Sequence, residues 1–236
     1  LFAVLMLLVM LSFGSMALPL AVMLVPQGLA WLYFVLMELS ALTVSVLASA
    51  FTSYGHLFRY RDNQQLLALP IPPGAIFAVR CGGVYLTGLI YLLLAWVPSV
   101  VCYTLAAPHP GGALLAALPV ALALAGVSMV LAVLLGWAVA LLNRRARHKS
   151  LVTVVGTLLF LAVYYAVFQW VGNAVDALAL DAVQAGAAAS RAVAPLHLLG
   201  LAAVGSAPAL LLLLALAVVC MVSCGKALVP PYLRMM

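Results

Sequence analysis

The feature that most constrains this chain is the length of its uninterrupted apolar runs. Several exceed the roughly 20 residues that a helix needs to cross the hydrocarbon of a bilayer. A backbone inside hydrocarbon must satisfy its own hydrogen bonds, which leaves helices or a closed barrel. Barrel strands alternate apolar and polar residues with period two. Here the runs are continuous, so helices are expected. Of the 236 residues, 69% are apolar and 6% are charged, and the mean hydropathy of +1.32 excludes a soluble domain.

Six spans are expected, at about 2–24, 29–50, 76–106, 113–142, 151–172 and 207–225. The fold class is an all-α polytopic membrane protein forming a single transmembrane domain over 1–236. The chain opens Leu-Phe, already inside an apolar run, and is read as an excerpt of a longer protein. Its first run lacks a basic n-region and a small-residue cleavage site, so it reads as a true span and not a signal peptide. The segment 173–206 holds Asp176, Asp181 and Arg191 among Ala, Val and Leu, a mix suited to one or two short helices at the outer surface.

Orientation follows from the basic residues. Arg59, Arg61, Arg80, Arg144, Arg145, Arg147, Lys149, Lys226 and Arg234 fall on one side of this topology, and Arg191 alone falls on the other. The basic side is cytoplasmic by this rule, which puts both ends of the segment in the cytoplasm. The net charge of +6 therefore reflects topology and anionic lipid, and no nucleic-acid partner is expected. The loop carrying Arg144, Arg145, Arg147 and Lys149 reads as an anchor on lipid headgroups, with a second contact to a soluble partner as the sharper alternative.

Charge is concentrated in 59-RYRDNQQLLALPIPP-73. Asp62 can cap a helix whose third position is Gln65, each side chain serving an orphan N–H of the other. That helix carries Leu66, Leu67 and Leu69 and must end at Pro70. It is too short to span the membrane or to be stable alone in water. Pro73 suits the first turn of the following span. Such an element either docks a soluble partner and passes its movement into the membrane, or lies on lipid with Arg59 and Arg61 among anionic headgroups.

The run 57-LFRYRDNQQLLALPIPPGAIFAVR-80 resembles the first cytoplasmic loop of type-2 ABC exporter permeases, in Phe58, Arg61, Asp62, Leu66, Leu67, Leu69, Pro70 and Arg80. The six-span layout and the outer segment before the last span are also similar to that family. The resemblance implies that 57–73 is a coupling segment, with Arg59 and Gln65 inside it, and that the chain docks separate ABC ATPase subunits. It further implies a second permease copy or second half, and location in a bacterial inner membrane. ATP and Mg would be bound by the ATPase partners.

No complete phosphate-binding loop stands in the sequence. Gly225-Lys226 resembles the end of one, but Cys220 occupies the first glycine position and Ala227 the Ser/Thr position. The chain is therefore not read as an enzyme, and any ATP hydrolysis belongs to a partner. The competing class is a secondary transporter or channel without an ATPase, which predicts ionisable pairs or broken helices at the midplane.

Glu38 is the only acidic residue inside an expected span. It reads either as a substrate-pathway or gating residue, or as a neutral or hydrogen-bonded structural glutamate. Ala41, Ser45 and Ser49 continue its face at helical spacing and suit close helix packing, with Ser45 and Ser49 as weaker pathway candidates. Cys81, Cys102, Cys220 and Cys224 read as small packing residues. The four histidines lack ligand spacing, so no metal site is expected. Pro98, Pro119 and Pro195 mark possible bends.

Overall fold

Apolar runs of this kind stay helical until turn chemistry stops them, and the helix boundaries follow that logic. The computed structural model of the protein describes residues 2–53, 55, 73–145, 162, 165, 166, 169 and 194–235. Six helices form among the described residues: α1 (Phe2–Leu24), α2 (Ala30–Ser53), α3 (Pro73–Ala106), α4 (Gly111–Arg145), α5 (Ala194–Val204) and α6 (Ala207–Met235). All but α5 are long and apolar enough to cross a membrane. The described residues are all-helical, and the five long apolar helices among them are those of a multi-pass membrane protein.

Five of the six expected spans coincide with α1, α2, α3, α4 and α6. The fifth, 151–172, lies outside the described residues apart from four positions, where Gln169 Nε2 donates to Tyr165 Oη at 2.7 Å. The outer segment supplies one short helix, α5, with Pro195 in its first turn, and the rest of that segment is not described. The span expected to end at 225 runs on to Met235. Pro230 and Pro231 remove two backbone donors, but they hold φ near the helical value, so the chain keeps its direction.

Two glycines end helices. After α1, Leu29 N–H donates to Leu24 C=O and Gly28 N–H to Val25 C=O, both at 3.1 Å. After α5, Ser206 N–H donates to Leu201 C=O at 3.0 Å and Gly205 N–H to Ala202 C=O at 3.2 Å. Each pair is a Schellman cap, with glycine at the position that needs a positive φ. The φ angles are 75° at Gly28 and 107° at Gly205. These turns, with the 107–110 turn between α3 and α4, gather at one end of the bundle, called here the turn end.

α2 sits at the centre. It packs against α1, α3, α4 and α5, while α6 packs mainly on α4 and α5. The core is built from Tyr33, Phe34 and Met37 of α2, Leu92 of α3 and Val120 and Leu124 of α4. α5 lies across the turn end of α2, with Gly200 pressed onto the Trp31 carbonyl and the His197 ring edge-on to Trp31 at 4.6 Å. A second cluster, near the opposite end, joins α3, α4 and α6 through Phe77, Cys81, Met129, Val133 and Cys224. All four cysteines are free thiols. The outer faces of α1 and α6 expose Leu7, Leu8, Leu11, Leu211, Leu212 and Leu216, surface suited to lipid tails, which are as apolar as leucine.

Candidate functional site

The stripe on α2 faces inward along its whole length. Glu38 is 1% exposed, and Ala41, Ser45, Ser49 and Ser53 are fully buried. The stripe has two halves with different chemistry, divided at Glu38.

Toward the end opposite the turns, the stripe forms a three-helix junction. Ser45 Oγ donates to the Gly88 carbonyl of α3 at 2.8 Å. It also lies 3.0 Å from Ser128 Oγ of α4, whose own hydroxyl donates to Ala125 C=O at 2.9 Å. Ser49 Oγ donates back to the Ser45 carbonyl. Gly88 makes the approach possible, because a Cβ there would sit 3.0 Å from Ser128 Oγ and 3.2 Å from Ser45 Oγ. Small residues allow backbones to close up, and hydroxyls then bond across the seam. The hydroxyls of Ser45 and Ser49 are thus occupied within the bundle.

Toward the turn end, α2 contributes Tyr33 and Phe34 to an aromatic cluster. Phe34, one helical turn earlier, packs against Trp96 at 5.7 Å and Tyr103 at 4.7 Å between ring centroids. Tyr33 stacks on Tyr103 at 6.2 Å and meets Phe34 edge-on at 5.3 Å. Two of the polar tips bond within the bundle: Tyr33 Oη donates to Ser99 C=O at 2.7 Å and Trp96 Nε1 to Ala117 C=O at 2.9 Å.

Among the described residues, neither Glu38 oxygen has a hydrogen-bond partner. A buried polar group that gives up water without replacing it costs about 1–3 kcal/mol. Glu38→Met keeps an unbranched side chain of similar length and removes that cost. The variant is expected to be more stable than wild type by about 1–3 kcal/mol, read as a raised midpoint for loss of helical circular dichroism in detergent. Equal or lower stability would show that the carboxyl is already paired.

Of the residues expected to matter, Glu38, Ser45 and Ser49 come together on one buried seam. Phe58, Arg59, Arg61, Asp62, Gln65, Leu66, Leu67, Leu69 and Pro70 lie outside the described residues, while α3 begins at Pro73 directly after them. Among the described residues, no group of three or more His, Cys, Asp or Glu side chains gathers to hold a metal. Sequence reasoning missed the four-ring cluster and the roles of Gly88 and Ser128. The spacing of Trp96, Ser99 and Tyr103 at i, i+3 and i+7 was the available signal for a shared inward face.

No family model, curated protein or solved structure matches the chain.

Proposed function

We propose that the chain is the membrane permease subunit of an ATP-driven (ABC) exporter, or half of one, in a bacterial inner membrane. What supports this reading is the sequence of 57–73, in which Asp62 and Gln65 can cap a short helix and Pro70 must end it, running directly into α3 at Pro73. On this reading the end opposite the turns is cytoplasmic, in keeping with the basic residues that flank the spans there. The segment around 62–69 rides in a cleft of a separate ATPase subunit. ATP binding closes a pair of such subunits, and the stiff Pro72-Pro73 connection passes the closure into α3 as a tilt. α3 packs against α1, α2 and α4, so a tilt of α3 moves the seam that holds Glu38. The cargo on this reading is hydrophobic or amphipathic and leaves at the turn end, beneath α5. A second permease copy or second half completes the pathway.

A secondary transporter or channel without an ATPase is the second reading, and the orphaned Glu38 carboxyl is the observation that favours it. One experiment divides the two. The wild-type chain, purified in mild detergent from its native host, is expected to bring an ATPase subunit with it in near-stoichiometric amount. Asp62→Arg combined with Leu67→Asp is expected to lose most of that subunit while still eluting as a folded membrane protein. Absence of any ATPase from the wild-type preparation overturns the exporter reading.

A further inference from the structure

We infer that the sulfur atoms of Cys81, Cys224, Met129 and Met221 form a binding site for a soft monovalent metal ion, of the Cu(I) class, where α3, α4 and α6 meet. Cys81 and Cys224 are buried in one cluster with Met129, and Met221 packs against it. Cys224 is near enough to Cys81 to act on it electrostatically. Met221 is placed from the α4 side: a Cβ added at Gly126 would stand 2.9 Å from its Sδ. Gly126 and Met129 are three residues apart on α4, as Met221 and Cys224 are on α6, and residues so spaced are neighbours on a helix surface. The two thioethers and the Cys224 thiol therefore share the seam between α4 and α6, and α3 brings the Cys81 thiol to the same cluster. Both thiols are free.

The donors select the ion. Structural zinc takes four Cys or His ligands, and iron–sulfur clusters take four thiolates. Among the described residues, no third Cys, His, Asp or Glu side chain joins this pair to make such a group. Hard cations need oxygen. Thiols and thioethers together suit Cu(I), which accepts as few as two sulfur ligands. Charge points the same way. One Cys S–H bond breaks as the Cu–S bond forms, the proton leaves to solvent, and the charges of ion and thiolate cancel. The second thiol and the thioethers complete the coordination without adding charge, so no net charge is placed among apolar side chains. No preformed cavity is required, because a bare ion is small and methionine side chains adapt readily. An ion shared by Cys81 and Cys224 would tie α3 to α6, which touch each other far less than either touches α4. Binding of this kind stands apart from the exporter reading and needs no ATPase.

The test uses the purified protein in lipid nanodiscs, kept anaerobic with ascorbate. Cu(I) is supplied as its bicinchoninate complex, whose colour falls as the protein takes the ion. One ion per chain is expected, with release of one proton. The midpoint for thermal loss of helical signal is expected to rise, as binding to the folded state alone requires. Cys81→Ala and Cys224→Ala each keep a small side chain and are expected to weaken binding by at least about tenfold, the least that losing even an outer partner costs a metal site. Met129→Leu, close in volume, is expected to weaken it several-fold. Cys102→Ala is the control, because that thiol lies in the other cluster, toward Gly14, and this variant is expected to bind as wild type does. Zn(II) is expected not to compete. No uptake against bicinchoninate overturns the inference and leaves the cysteines as packing residues. Wild-type affinity in both Cys81→Ala and Cys224→Ala overturns it too, as does an equal loss in Cys102→Ala or displacement by Zn(II). Should the cysteine variants not elute as folded species, Met129→Leu still decides, together with X-ray absorption at the copper edge of the wild-type complex. Sulfur neighbours alone are expected there, and nitrogen or oxygen neighbours overturn the assignment. None of these measurements involves an ATPase, so failure here and failure of the exporter reading remain separable.

Discussion

Replacing Gly205 by alanine is expected to destabilise the protein by about 2–5 kcal/mol, the summed cost of a disfavoured backbone conformation and of overpacking. The two costs have separate origins at one residue. The φ of 107° is a region that an L side chain rarely enters. An added Cβ would also meet the Gly112 backbone at 2.5–2.7 Å, and backbone atoms cannot swing aside as a side-chain tip can. The contact joins the α5–α6 turn to the first turn of α4, so relief would require the turn end of the bundle to open. Gly225→Ala is the matched control. That glycine lies within α6 with nothing near its missing Cβ, and alanine there is expected to be neutral or to stabilise by up to about 1 kcal/mol through helix propensity. Thermal loss of helical signal in the same detergent, compared for the two variants, checks the pair. Equal behaviour of the two would show that the Gly205 turn is not held as described.

The spans were legible because length and continuity are properties of the sequence itself. A run such as 113–142 has only one architecture open to it in a bilayer, and α4 follows it closely. Glu38 was legible for the same reason, since a single carboxylate among hydrocarbon is conspicuous wherever it points. What could not be read was the partner of each helix. A soluble helix announces its inner face by an apolar stripe, but a helix that is apolar all round carries no such stripe. α3 and α4 are of that kind, so nothing marked Gly88 and Ser128 as the residues facing Ser45. The serines of α2 at i, i+4 spacing hinted at a seam without saying what lay across it. The aromatic cluster was hidden likewise, because Tyr33, Trp96 and Tyr103 each also suit a membrane interface. Only the packing of α2 against α3 brings these rings together. The segment 57–73 was the reverse case. Its charges, capping pair and prolines are conspicuous in the sequence, but residues 57–72 lie outside the described residues, so its role rests on sequence alone.

Gly88→Leu is expected to cost about 3 kcal/mol or more, because the site accepts no side chain without displacing three others. Its absent Cβ has Ser128 Oγ at 3.0 Å, Ser45 Oγ at 3.2 Å and Ser49 Oγ at 3.6 Å around it. A leucine would push α3 away from both α2 and α4, breaking the Ser45 bond to the Gly88 carbonyl as well as the packing. Losing that hydroxyl alone is a far smaller event. Interhelical hydrogen bonds in membranes average about 0.6 kcal/mol, so Ser45→Ala is expected to be mild and Gly88→Leu severe. This ordering tests whether close backbone approach or hydrogen bonding holds the junction. If Ser45→Ala proves as damaging as Gly88→Leu, the hydroxyl network is the stronger element. Gly88→Ala refines the point, since its methyl group meets mainly Ser128. Ser128→Gly in the same chain is expected to restore part of the loss, and a double-mutant cycle on thermal stability measures that coupling.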